Sequence, residues 1–183
     1  MKKTIGLILF ILVMIFTVGS YAEQAPADMQ NVQTIDAMGA FKVSAQIPEG
    51  YRFSGTYASD ILYVGYLTPQ NPALVNGMIT IAFDEEADGA SIGDLSQEII
   101  NAITQQDIRT LGEKVEFSET ATSHGTKLLV YHVTDPEEER IEIYTLYMGY
   151  QIRCILFPAK GQKLTQQDLK MAVDFVSEVW ITK

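Results

Sequence analysis

RIEIYTLYMGYQIRCILFP, residues 140 to 158, decides how the rest of the chain is read. Ile141, Ile143, Thr145 and Tyr147 share one parity in its first half, and Tyr150, Ile152, Cys154 and Leu156 share the matching one in its second. Side chains that alternate with period two belong to strands. A two-residue turn containing Gly149 folds the halves back and puts both sets on one nearly continuous apolar face, whereas a three-residue turn would mix them. The other face carries Glu142, Tyr144, Leu146, Met148, Gln151, Arg153, Ile155 and Phe157. It is mixed rather than polar, so part of it is expected to be covered, and the hairpin is expected near the middle of its sheet.

More strands precede this hairpin. Phe41, Val43, Ala45 and Ile47 alternate with Lys42, Ser44 and Gln46 up to Pro48 and Gly50, a strand whose single polar face predicts an edge position. Tyr51 to Tyr57, Asp60 to Pro69 and Gly77 to Glu85 follow, with Pro69 and Pro72 breaking any helix between the last two. Residues 61–67 and 78–83 are apolar on both parities, which predicts strands covered on both faces, with Gly65 marking a bulge. From Ser91 to Thr110 the period lengthens: Ile92, Leu95, Ile99 and Ile103 predict a helix, opened by a capping box of Ser91 and Asp94. Short strands at Lys114 to Ser118 and Thr126 to Thr134 lead through the acidic turn Asp135 to Glu139 into the hairpin. A closing helix begins at Thr165, capped by Asp168, carries Leu169, Ala172, Val173, Val176 and Val179 on one face, and ends at Trp180. These elements predict an α+β domain: an antiparallel sheet of about six to eight strands with helices packed on its faces, an α/β/α sandwich.

The N-terminus adds a location. Lys2 and Lys3, an apolar run from Ile5 to Val18, and small residues at Ser20 and Ala22 make the three-part pattern of a secretory signal peptide over residues 1–22. The run is shorter than the roughly 20 residues that span a bilayer. An uncleaved anchor is the alternative, and would be the chain's one route to a membrane. Cleavage after Ala22 predicts a secreted or periplasmic protein, with residues 23–38 a flexible leader and residues 39–183 a single domain. The formal charge is −10, from 13 basic and 23 acidic residues, and loss of the two lysines makes it more negative still. That balance argues against nucleic acid and anionic lipid as partners. Cys154 is the sole cysteine, so no intrachain disulfide forms and its thiol is expected to be a buried small hydrophobe.

The order of strand, P-x-G-[YW] turn, strands, helix, strands and closing helix with a terminal aromatic resembles the PsbP-like superfamily, which also includes the nuclear-transport factor that binds the GTPase Ran. The pieces that carry the resemblance are FKVSAQIPEGYRF, GMITIAFDE, the helix from Ser91 to Thr110, SHGTKLLVYHV, the hairpin, and DLKMAVDFVSEVW. The resemblance implies an antiparallel sheet with helices on both faces and a role in binding or assembly rather than catalysis. It assigns no functional residue.

Chemistry-bearing groups are few. The two histidines, His124 in a turn and His132 on a strand and sharing the parity of Leu128 and Val130, read as a surface and a boundary-core residue, without a G-x-S-x-G element to make either a catalytic base. Asp84, Glu86, Asp88 and Gly89 imitate the opening of a calcium loop, but Leu95 stands where its bidentate glutamate belongs. A solvated acidic turn is expected there, with a calcium loop as the alternative. Glu137, Glu138 and Glu139 read as a hairpin rim. Eight tyrosines, Tyr51, Tyr57, Tyr63, Tyr66, Tyr131, Tyr144, Tyr147 and Tyr150, fall on strands and turns, as half-buried sheet residues or as a partner surface. The expected function is therefore an exported, non-enzymatic binding or assembly accessory domain of the cell envelope or extracellular space, with a protein partner and no cofactor. A small secreted hydrolase with a carboxylate- or histidine-based site, and a weak calcium-binding protein, are the alternatives.

Overall fold

The computed structural model describes residues 32–37, 41–59, 62–112, 114–122, 125–135 and 137–182. The expected signal peptide, most of the leader, and His124 lie outside them. The chain is α+β. Its strands are β1 (Val32–Ala37), β2 (Phe41–Gln46), β3 (Tyr51–Ser59), β4 (Leu62–Pro69), β5 (Asn76–Phe83), β6 (Val115–Ala121), β7 (Lys127–Val133), β8 (Arg140–Tyr147), β9 (Tyr150–Phe157) and β10 (Val179–Thr182). Helix α1 (Gln97–Leu111) lies between β5 and β6, and α2 (Gln166–Ser177) between β9 and β10. Seven strands form one sheet in the order β3-β4-β5-β9-β8-β7-β6, and β1-β2-β10 form a second. Every pairing is antiparallel.

The hairpin of β8 and β9 sits at the centre of the large sheet, as its one apolar and one mixed face predict. Tyr147 faces Tyr150 across the two-residue turn Met148-Gly149, and both turn residues have positive φ, 50° and 84°. That is the twist of a type I′ hairpin, which suits the right-handed twist of the strands it joins. Ile141, Ile143, Tyr147, Tyr150, Ile152, Cys154 and Leu156 accordingly lie together in the principal core. Helix α2 and the small sheet cover that face through Phe175, Val176, Val43 and Ile181. Phe175 meets Phe53 edge-on at 5.8 Å, and burying a ring of this size contributes about 1.5 to 3 kcal/mol. The opposite face of the large sheet carries a smaller core in which Ile92 and Ile100 pack on Leu129, Tyr131 and Leu146.

Several expectations are corrected. Residues 32–37, placed in the leader, form β1. Its Thr34 hydroxyl shares a 2.8 Å hydrogen bond with Ser44, and β-branched Val32, Thr34 and Ile35 favour a pleated surface even with weak alternation. Strand β2 is not an edge: it lies between β1 and β10, and Ser44 on its polar parity is buried. Val179 and Trp180 belong to β10 rather than to the last turn of the closing helix, because VWIT is a β-branched and aromatic run that completes the ladder of β2. The first helix starts later than predicted. Ser91 and Asp94 cap a short 3₁₀ turn at Ile92–Asp94, Leu95 is extended, and Ser96 then caps α1 by accepting from the Ile99 N–H. Gly65 pairs with Gly55 without a bulge. A Cβ there would stand 2.7 Å from the Phe53 ring and 2.8 Å from Ile79, so the glycine admits neighbouring side chains. The one register shift of β3 and β4 falls between Tyr57 and Ser59. Finally, β4 is not covered on both sides: Tyr63 and Leu67 are buried while Tyr66 faces solvent.

Candidate functional site

Strand register lays out the face on which α1 packs. Ser54, Tyr66, Met78, Ile155, Glu142 and Tyr131 form one line across the sheet, and Val64, Thr80, Arg153, Tyr144 and Leu129 form the next. Helix α1 covers the Leu129, Tyr131 and Tyr144 end. The remainder, on β3, β4, β5 and β9, is open at its aromatic positions: Tyr66 is 44% and Phe157 42% exposed. These four strands contain no aspartate or glutamate, and their only charges are Arg52 and Arg153. In a chain with 23 acids, four adjacent acid-free strands mark a face of distinct chemistry.

A polar strip runs along the border between the covered and open regions. Glu142, only 5% exposed, accepts a 2.7 Å hydrogen bond from Arg140 Nε, and its second oxygen lies 3.3 Å from Arg153 Nε. Arg153 Nη2 is 3.8 Å from Oδ1 of Asp107, which α1 brings down onto the sheet. Asp107 is as buried as Glu142. Burial raises its pKa, opposed by the nearby Tyr131 phenol and Arg153 and reinforced by Glu142. The Tyr131 hydroxyl lies against Asp107 and Thr104 and is pushed to a higher pKa by burial and by that carboxylate. Among the described residues, neither it nor the Thr104 hydroxyl meets hydrogen-bond geometry with a partner. Tyr144 is pushed up to about 12, mainly by burial. Above this strip opens a pocket of about 170 Å³ walled by Ala82, Ile103 and Tyr144 and floored by Asp107, Gln151 and Arg153.

The residues singled out in the sequence fall elsewhere. Asp84 caps the 3₁₀ turn that follows β5: one oxygen accepts from the Glu86 N–H at 3.0 Å and the other from Gln151 Nε2 at 2.8 Å. Glu86 and Asp88 are exposed, Leu95 packs into the smaller core, and among the described residues no group of three metal-ligating side chains converges. His132 is half-buried, with Nδ1 3.8 Å from Glu116 and Nε2 3.7 Å from Glu139 on opposite sides of the ring. Glu139 also accepts from the Leu164 N–H at 3.2 Å. Cys154 is fully buried between Ile79 and Ile143, and burial pushes its thiol up to about 12, which leaves it protonated and unreactive.

Sequence reasoning missed Asp107, Glu142 and Arg153 as a group. A signal was present: the stripe Leu95, Ile99, Ile103 continues four residues on to Asp107, an acid at a position that should be apolar. No protein-family model matches the chain, and no curated protein matches it either.

Proposed function

We propose that this chain is an exported, non-enzymatic binding or assembly accessory domain of the cell envelope or extracellular space, and that it holds a protein partner on the open face of β3, β4, β5 and β9. The observation that carries the proposal is the pairing of exposed Tyr66 and Phe157 with complete absence of acids on those strands. Aromatic side chains rimmed by polar groups supply contact area at low entropic cost, and arginine with tyrosine is the composition of protein interfaces. The signal-peptide pattern of residues 1–22 supports export, and the resemblance to the PsbP-like superfamily supports an accessory role.

The test places a photo-crosslinking residue at Tyr66, at Phe157, or at Lys170 on the far side, in the native host. A discrete adduct in the envelope or medium from positions 66 and 157 but not from 170, abolished by Tyr66→Ser with Phe157→Ser, is the expected result. Equal labelling from all three positions would overturn the docking face. Esterase, glycosidase or peptidase activity of the purified domain that disappears in His132→Ala would overturn the non-enzymatic reading.

A further inference from the structure

The pocket at the edge of α1 borders the protein-docking face, shares Arg153 with it, and has a chemistry of its own. Among the described residues, Arg153 Nε lies 3.3 Å from Glu142 and Nη2 3.8 Å from Asp107, and Nε makes no hydrogen bond. Such a fork is matched by a carboxylate, which accepts two parallel N–H groups. Yet Asp107 and Glu142 lie beside it, both buried, and together with Arg140 and Arg153 they make four charges that sum to zero; Glu138, which also pairs with Arg140, is exposed and screened by solvent. A simple anion entering here would leave a net negative charge next to two buried acids, and a simple cation would compete with Arg153 for them. A molecule with both charges on neighbouring atoms preserves the balance. We propose that the pocket binds a small zwitterion, a free α-amino acid with a short apolar side chain. Its carboxylate lies on Arg153, its ammonium on Asp107 and the side-chain amide oxygen of Gln151, and its side chain against Ala82, Ile103 and Tyr144.

Size sets the class further. The volume of about 170 Å³ is close to that of a cavity that accepts benzene, so the ligand has roughly six to nine non-hydrogen atoms. Alanine through leucine fit that range, whereas a peptide or a nucleotide does not. The apolar wall of Ala82, Ile103 and Tyr144 favours valine or leucine over serine within it.

The mature protein is titrated with L-leucine, with 4-methylpentanoate (the acid without the amine) and with 3-methylbutylamine (the amine without the acid), each to about 20 mM. Two readouts are followed, the melting temperature and the amide resonances of the Gln151 side chain. L-Leucine is expected to raise the melting temperature progressively with concentration and to move the Gln151 resonances, while the two half-ligands do neither. Arg153→Gln is expected to weaken the response about tenfold or more. Because loss of Arg153 also leaves Glu142 short of a cation, Ala82→Leu is measured beside it: this variant narrows the pocket, keeps all four charges, and should abolish the response in a folded protein. No resonance shift in the wild type with any apolar amino acid, or an equal response to 4-methylpentanoate, would overturn the proposal.

Discussion

Replacing Gly149 by alanine separates two costs that the hairpin turn combines. Gly149 has φ +84°, and an added Cβ would stand 2.8 Å from Asp88 Cα and 3.1 Å from the Ala87 carbonyl. Both neighbours are backbone, and they are pinned: Asp84 N–H donates to the Gly149 carbonyl at 2.9 Å and Gly149 N–H donates to the Ala90 carbonyl at 2.8 Å. Ser91 Oγ accepts from the Met148 N–H at 3.1 Å on the same side. Gly161 has nearly the same backbone, φ +78°, with nothing within 4 Å of its would-be Cβ. Alanine at Gly161 therefore costs only left-handed strain, about 1 to 2 kcal/mol. At Gly149 the same strain is joined by displacement of the 84–90 segment and loss of its two hydrogen bonds, at about 1 kcal/mol each, for roughly 3 to 4 kcal/mol in all. Urea unfolding of both variants, with unchanged slope, measures the difference directly. In thermal unfolding the gap should be on the order of 4 to 8 °C for a domain of this size. If the two variants lose equal stability, the turn is not held by the segment beneath it, and the clash argument is wrong.

Four further outcomes follow from the packing. Cys154→Ser should destabilise by about 1 to 3 kcal/mol, because it buries a hydroxyl with no assured partner; the native thiol should resist modification until denaturant is added, and rapid labelling of the folded protein would place it at the surface. Glu142→Gln, which leaves Arg140 and Arg153 without their shared carboxylate, should cost about 3 kcal/mol in chemical unfolding. Lys170→Gln, at an exposed pair with Asp174, should change stability by less than about 0.5 kcal/mol, and similar losses in the two would discredit the buried network. The folded pKa values of Tyr63, Tyr144 and Cys154 are pushed up to about 12 from ordinary values of 10, 10 and 9. The unfolded chain thus releases these protons first, so stability is intact below pH 9 and falls as pH rises toward 12. The melting temperature should trace that fall, beginning nearer pH 10 in Cys154→Ala, and a flat profile would refute the burial of these groups. Asp107, whose pKa is raised chiefly by burial, ionises at a cost, so Asp107→Asn should hold or raise the neutral-pH melting temperature while abolishing any response to L-leucine. A large fall in melting temperature would show instead that its pairing with Arg153 outweighs its desolvation.

What the amino-acid order determined by itself was short in range. Period-two alternation located the central hairpin and both of its faces, Gly149 set the two-residue turn, and the Thr165-Asp168 capping box placed the start of α2, where Asp168 Oδ2 accepts from the Thr165 N–H at 2.8 Å. Each of these depends on neighbours within a few residues, so local sequence suffices. The tertiary structure alone decided the rest. Val179 and Trp180 continue the apolar stripe of α2 in sequence, and they become strand because the edge of β2 takes them up. Val32–Ala37 is a strand only because Phe41–Gln46 lies beside it. Pairing of β5 with β9, which sets Thr80 opposite Arg153, together with the seating of α1 on β7, brings Asp107 and Arg153 to one pocket and leaves Tyr66 and Phe157 uncovered. Those juxtapositions join residues tens of positions apart, and which face a helix covers is settled by competition among whole apolar surfaces, which no local pattern encodes.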